Sequence, residues 1–266
     1  MNGVNKTLYI PLYGKSFVSK KGIILRDEYA ERIWESEQFP LKGKSKSKWL
    51  AYYMAMRAAV FDEWTRETVT SNSIVLHLGC GMDSRAFRVG ATANVWCDVD
   101  FPSVIDERKR YFEETDTYRM LSADLRDETF VSSLPTGEHA VVLLEGVSMY
   151  VTNAELQTLL AALGKRYARL SVLVDCYTPF AAKMSKIKNP VNDVGVRETF
   201  GVENPAVLER NTGLVFVEER TMTPAHLIEQ LQGGEQRIFG WLYAGKISKN
   251  LYKLYEYKKD DTAKNG

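Results

Sequence analysis

Histidine and cysteine are scarce, with three of each among 266 residues. Cys80, Cys97 and Cys176 cannot supply the disulfide framework that staples small secreted domains, and none stands in a C-x-x-C pair. They read as small buried hydrophobes in a protein kept in a reducing cytoplasm, and no metal site is expected. An excess of charge of one sign is missing too. Lys+Arg 35 against Asp+Glu 34 leaves a net charge of +1, so neither nucleic acid nor an anionic membrane is expected as the main partner. No apolar run approaches the roughly 20 residues of a membrane-spanning helix. Met1–Lys6 opens without the apolar core of a signal peptide. What the chain does have is 45% hydrophobic residues, enough for one large α/β domain with a substantial core.

The organising stretch is Ile74-Val75-Leu76-His77-Leu78-Gly79-Cys80-Gly81-Met82-Asp83. Its apolar half reads as a parallel strand covered on both faces, and Gly79 and Gly81 allow a sharp turn that a ligand can approach closely. Asp83 and Ser84 are good N-cap types for a following helix. Further strands are expected at Asn94–Asp98, Tyr118–Ala123, Ala140–Leu144 and Leu170–Asp175, with helices at Pro102–Glu114 and Asn153–Tyr167 between them. This alternation implies a doubly wound parallel sheet. After Asp175 the pattern changes. Residues 176–211 are polar and contain Pro179, Pro190 and Pro205, which suggests a lid or substrate-recognition insertion. A strand at Gly213–Glu218, helices at Pro224–Leu231 and Glu235–Ile247, and a last alternating strand at Leu251–Tyr257 follow.

Residues 1–70 read as helical, notably Asp27–Trp34 and Trp49–Trp64. The second of these is apolar on nearly every face and carries Arg57 at its centre, where a charge requires a partner. The basic connector Lys42–Lys48 is either a solvated loop or a cationic pocket rim that draws in anionic substrates.

The turn lacks the third glycine of a dinucleotide fingerprint, since Ser84 stands there. The acids are more telling. Asp98 and Asp100 follow the glycines by about 20 residues, the usual distance for a ribose-binding carboxylate. Asp124 and Glu145 finish the next two strands. Ligands of open α/β sheets sit outside the strands' carboxyl ends, so these acids converge on one crevice. Carboxylates accept hydrogen bonds and attract cations. S-adenosylmethionine suits them, with its sulfonium, ammonium, ribose diol and adenine amino group.

Leu76–Arg88 (LHLGCGMDSRAFR), Val95–Pro102 (VWCDVDFP), Ala123–Asp127 (ADLRD) and Glu145–Tyr150 (EGVSMY) resemble the leucine carboxyl methyltransferase family, which includes tetracenomycin-type polyketide O-methyltransferases. The resemblance implies a class I methyltransferase fold. Its parts are a Rossmann-like doubly wound sheet, mostly parallel with an antiparallel last strand, a helical N-terminal cap, and a lid insertion after the fifth strand. The regions would be 1–70 for the cap, 71–177 for the cofactor-binding core, 178–212 for the insertion and 213–258 for the closing strands and helices, all in one domain. It also implies S-adenosylmethionine as cofactor and S-adenosylhomocysteine as product. Matched onto this sequence, the cofactor-binding residues are Lys15, Arg57, Gly79, Cys80, Gly81, Asp98, Asp100, Asp124, Leu125 and Glu145. Arg57 and Lys15 take the methionine carboxylate. Lys20 and Lys21 are rivals to Lys15.

Methyl transfer from a sulfonium demands proximity and alignment above all. A hydroxyl acceptor would need a general base, most often His. His77 lies inside the first strand, below the crevice. His139 begins its strand, and His226 lies in a C-terminal helix. A carboxylate acceptor is already ionised at neutral pH and needs no base. The expectation is therefore an O-methyltransferase forming a methyl ester on a small-molecule or peptide carboxylate. No catalytic residue is assigned, and Tyr150, Tyr177 and Arg197 are candidates for holding the substrate. The alternatives are a hydroxyl or phenol acceptor on the same fold, a nicotinamide oxidoreductase, and a non-catalytic cofactor-binding protein.

Overall fold

The computed structural model describes residues 7–37, 39–185, 198–245 and 250–259. Among the described residues three α-helices precede the sheet: α1 (Tyr9–Lys20), α2 (Glu28–Glu37) and α3 (Lys48–Thr68). A 3₁₀ turn, Gly43–Lys46, leads into α3, whose first backbone N–H groups are capped by the Ser47 hydroxyl through Trp49 N. β1 (Ser73–Leu78) is followed by the short α4 (Arg85–Arg88), β2 (Val95–Asp100), α5 (Pro102–Arg108), β3 (Tyr118–Ser122), β4 (His139–Leu144), α6 (Asn153–Arg166) and β5 (Arg169–Tyr177). Thr152 and Glu155 close a reciprocal capping box on α6. Pro102 starts α5, where its missing N–H costs nothing.

The region after β5 holds α7 (Pro179–Ser185) and α8 (Ala206–Glu209), then β6 (Val215–Arg220), α9 (Ala225–Ile228), α10 (Gly234–Tyr243) and β7 (Tyr252–Lys259). The strand order is β3-β2-β1-β4-β5-β7-β6. β1 to β5 pair in parallel, and β7 enters antiparallel between β5 and β6. The order reverses between β1 and β4, which opens a crevice beyond their carboxyl ends. Alternate residues of β1 feed the two layers: Val75 packs with the α1–α3 side, Ile74 and Leu76 with the α6 side. Among the described residues no helix is long and apolar enough to cross a membrane.

Among the boundaries that differ from expectation, two lie next to the site. α5 stops at Arg108 rather than running to Glu114. β2 continues to Asp100 instead of ending at Asp98, because Asp98 stays in the ladder opposite His77 and Met120. That shift decides which acid reaches the crevice.

Candidate functional site

A cavity of about 830 Å³ opens beyond the carboxyl ends of β1, β2 and β4. Helix spacing supplies one wall: Pro11 and Lys15 lie one turn apart on α1, and Leu50, Tyr53, Met54 and Arg57 form a stripe along α3. The glycine turn supplies the floor. Gly79 has φ +72°, and a Cβ there would lie 2.3 Å from Val147 Cγ2, so only glycine fits.

Asp100 stands at the end of β2, with Gly81 N donating to Oδ2 (2.8 Å) and Phe101 N to Oδ1 (2.7 Å). Burial pushes its carboxyl up, against the pull of those two N–H groups. Asp124, Leu125 and Arg126 form the adjoining wall. Arg126 grips Asp124 through Nε (2.9 Å) and Nη2 (2.5 Å), which lowers its carboxyl.

At the other end lies a buried ionic lattice. Arg57 donates from Nε to Glu145 Oε1 (3.0 Å) and from Nη1 to Asp175 Oδ2 (2.9 Å) and Tyr252 Oη (3.1 Å). Among the described residues its Nη2 makes no hydrogen bond, which leaves a guanidinium donor for an anion in the cavity. Gly146 permits this packing, since a Cβ there would lie 3.3 Å from that nitrogen. Arg85 donates to Glu145 Oε2 (2.5 Å) and to Asp62 Oδ1 (2.7 Å). Burial opposes the ionisation of Glu145, but Arg85 and Arg57 outweigh it and bring its pKa down to about 2. Burial wins at Asp175, whose carboxyl is raised despite Arg57. Lys15 donates to Asp83 Oδ2 (2.9 Å) and lines the cavity.

Gly79, Cys80, Gly81, Asp100, Asp124, Leu125, Glu145, Lys15 and Arg57 thus surround one space, and Tyr150 and Tyr177 line it as well. Cys80 is buried, and its burial holds the thiol protonated. Lys20 instead pairs with Glu35 at the surface, and Lys21 donates to Tyr52 Oη (2.8 Å). Arg197 falls outside the described residues.

Asp98 requires a correction. It does not line the cavity but lies buried within β2. There it pairs with Arg108, accepts from Tyr118 Oη (2.7 Å) and accepts from Trp96 Nε1 (2.9 Å). A fully desolvated carboxylate needs such partners. His77 reaches the cavity floor but is 1% exposed, wedged between Asp98 and Arg85.

Asp175, Arg85 and Tyr252 escaped the sequence reading. Asp175 carried the same signal as Glu145, an acid near the end of an apolar strand. Arg85 and Tyr252 carried none, because only the fold brings them to Glu145 and Arg57.

The leucine carboxyl methyltransferase profile matches residues 5–164. The chain belongs to the leucine carboxyl methyltransferase family. It is an S-adenosylmethionine-dependent O-methyltransferase. Its sequence is 29% identical to the tetracenomycin polyketide synthesis O-methyltransferase TcmP of Streptomyces glaucescens, over 93% of this chain and 92% of that protein. It is 24% identical to the S-adenosyl-L-methionine-dependent methyltransferase dpfgK of Gibberella zeae, over 91% of this chain and 88% of that one. The fold of the methyltransferase is similar to that of a crystallised protein from Thermobifida fusca (TM-score 0.55, 14% identity, 93% and 94% of the two chains). It also resembles the magnesium protoporphyrin IX methyltransferase of Synechocystis with bound S-adenosylhomocysteine (TM-score 0.52, 10% identity, 86% and 93%).

Proposed function

We propose that this methyltransferase esterifies a carboxylate of a small molecule, with the cofactor held by Lys15, Arg57, the Gly79–Gly81 turn, Asp100, Asp124, Leu125 and Glu145. The donor set fits S-adenosylmethionine: Arg57 Nη2 is open to its carboxylate, and Asp100 suits the ribose diol. Bound there, the cofactor supplies an electrophilic methyl group on a sulfonium. The chain's own work is to align the acceptor with it. The Glu145 and Asp175 contacts fix the Arg57 guanidinium, and the Gly81 and Phe101 N–H groups fix the Asp100 carboxylate.

The observation that carries the choice of acceptor is the tyrosine lining of the remaining space. Tyr53, Tyr150, Tyr177, Tyr243 and Tyr252 line the cavity. Burial raises the pKa of Tyr53, Tyr150, Tyr243 and Tyr252, which keeps those hydroxyls neutral at physiological pH. Tyr53 Oη donates to Met222 Sδ and Tyr252 Oη accepts from Arg57 Nη1, and neutral phenols held in this way are poor proton acceptors for a hydroxyl substrate. His77 reaches the floor but is 1% exposed and wedged between Asp98 and Arg85, while His139 and His226 lie away from the cavity. A carboxyl group of pKa about 4 arrives ionised and needs no base. All three cysteines are buried and unpaired, in keeping with a reducing compartment such as the cytoplasm.

The test is transfer of a tritiated methyl group from S-adenosylmethionine into a metabolite extract. Label released by mild alkali marks an ester and supports the proposal. Label that resists alkali marks an ether and rejects it.

A further inference from the structure

The rim of the cavity carries features that neither the fold nor methyl transfer uses. On α7, Phe180 and Met184 are 58% and 46% exposed, one turn apart. On α10, Ile238, Trp241 and Leu242 are 46%, 80% and 41% exposed and share one stripe at i, i+3 and i+4. Single exposed apolar residues are ordinary. These differ because Met184 and Leu242 also line the cavity, so both stripes continue its wall out into solvent.

The third side of the rim is cationic. Lys44 and Ser47 line the cavity from the 3₁₀ turn and the cap of α3. The turn has a defined shape: the buried Ser45 hydroxyl donates to Lys42 O (2.6 Å), and Ser47 N donates to Lys44 O (3.1 Å). Lys48 is engaged by Glu235 (2.7 Å). Lys44 is exposed and makes no ion pair among the described residues.

From this arrangement we infer that the acceptor is an elongated amphipathic diacid. The carboxylate to be methylated enters among the tyrosines. The apolar body lies across the stripes of α7 and α10. A second anionic group at the outer end meets Lys44. This inference rests on the carboxylate reading above and extends it to a substrate class. The apolar rim accounts for affinity without charge, and Lys44 accounts for selection between acids of the same body.

The test uses the full-length protein saturated with S-adenosylhomocysteine, titrated by calorimetry with two probes. One is biphenyl monocarboxylate. The other is the biphenyl dicarboxylate with its acids at opposite ends. Ester formation with S-adenosylmethionine is followed in parallel. Wild type should prefer the diacid. K44Q should lower diacid affinity about 3- to 10-fold relative to monoacid affinity, and K44R should retain the preference. W241A should weaken both acids by about 3- to 10-fold, as expected for lost apolar contact. Unchanged S-adenosylmethionine affinity in the variants shows that they remain folded. Equal binding of the two acids by wild type, equal losses for both in K44Q, or no loss in W241A would overturn the inference. If esters still form in that case, the carboxylate reading survives. If neither acid binds and no ester forms, the carboxylate reading falls, and the inference with it.

Discussion

On the inner wall of the cavity, Arg57, Glu145, Asp175 and Arg85 satisfy one another at 2.5–3.0 Å and are almost sealed from solvent. On the acceptor side the groups are tyrosines from α3, α10, β5, β7 and the loop after β4, with Lys44 and Leu242 at the rim. The inner wall is an ionic lattice in which every charge depends on its neighbours, so that single changes there disturb fold and cofactor together. The acceptor side is built from neutral donors and exposed side chains, so that changes there move affinity and leave the fold standing.

The sharpest way to break this contrast is Arg57→Met. It leaves Glu145 and Asp175 facing one another without their shared cation. Breaking a buried pair in this way costs about 3–5 kcal/mol. The expected result is a large drop in Tm and loss of the cofactor-induced rise in Tm, read by thermal unfolding with and without S-adenosylmethionine. The double variant Arg57→Met with Asp175→Asn removes the stranded charge, because Glu145 keeps Arg85. It should recover part of the stability and none of the cofactor response. A single variant as stable as wild type would show that the lattice does not carry the wall.

The same lattice predicts an acid window. Glu145 falls from 4.5 to about 2 on folding, so its contribution is present above pH 4.5 and is lost as pH falls toward 2. Asp175 is shifted the opposite way, and its ionisation costs stability as pH rises through the carboxylate range. The Tm difference between wild type and Glu145→Gln should therefore shrink steadily as pH drops from 4.5 to 2. A difference independent of pH would remove Arg57 and Arg85 as the cause.

Asp98 and Asp100 carry the contrast within one strand. Asp100→Asn should weaken S-adenosylmethionine by about 1.5–3 kcal/mol, the range for hydrogen bonds to a charged group. Asp98→Asn should lower Tm, because it leaves Arg108 without its carboxylate, yet leave the cofactor affinity of the folded protein close to wild type. Equal affinity losses from both changes would contradict the geometry.

These two acids also show where sequence reading runs out. The strand-and-acid pattern was enough to place Asp100, Asp124 and Glu145 around one crevice, because residues at or just past a strand's end lie at the carboxyl edge of a parallel sheet. In Asp98-Val99-Asp100 the first acid interrupts the apolar run and mimics a strand end. Arg108 on α5 and Tyr118 on β3 neutralise it, and no local signal reports them. Asp175 was legible by the rule that found Glu145. Tyr252 was not, since it meets Arg57 across 195 positions. Lys15 was recognisable through the family resemblance, but its partner Asp83 looked like a helix cap.

Where the two sides meet, Tyr252→Phe removes the hydroxyl that accepts from Arg57 Nη1 (3.1 Å) and keeps the ring that stacks edge-on against Tyr177 (4.8 Å). The loss should be about 0.5–1.5 kcal/mol in kcat/KM for the acceptor, as for one neutral hydrogen bond. Cofactor affinity should change less, because Arg57 keeps both carboxylates. A larger loss in cofactor affinity than in kcat/KM would show that the Tyr252 hydroxyl serves Arg57 alone and not the acceptor.

The smallest effects are expected from the histidines outside the cavity, and they separate the two acceptor chemistries. His226 sits at the surface with Nε2 2.8 Å from Glu63. His139 starts β4 with Nδ1 3.1 Å from Ser73 Oγ and Nε2 3.0 Å from Ser171 Oγ, at the sheet edge opposite the crevice. If the acceptor is a carboxylate, no proton leaves it in the transition state. His226→Gln and His139→Gln should then keep the single-turnover rate within about twofold of wild type, whereas loss of a general base costs on the order of 10²–10⁴-fold. The rate should also show no inflection near pH 6–7, where an unperturbed histidine titrates. It should fall only below about pH 4, where the acceptor's own carboxyl takes up a proton. A folded, cofactor-binding histidine variant that loses a hundredfold or more would point to a hydroxyl acceptor. The product would then resist the alkali that cleaves a methyl ester.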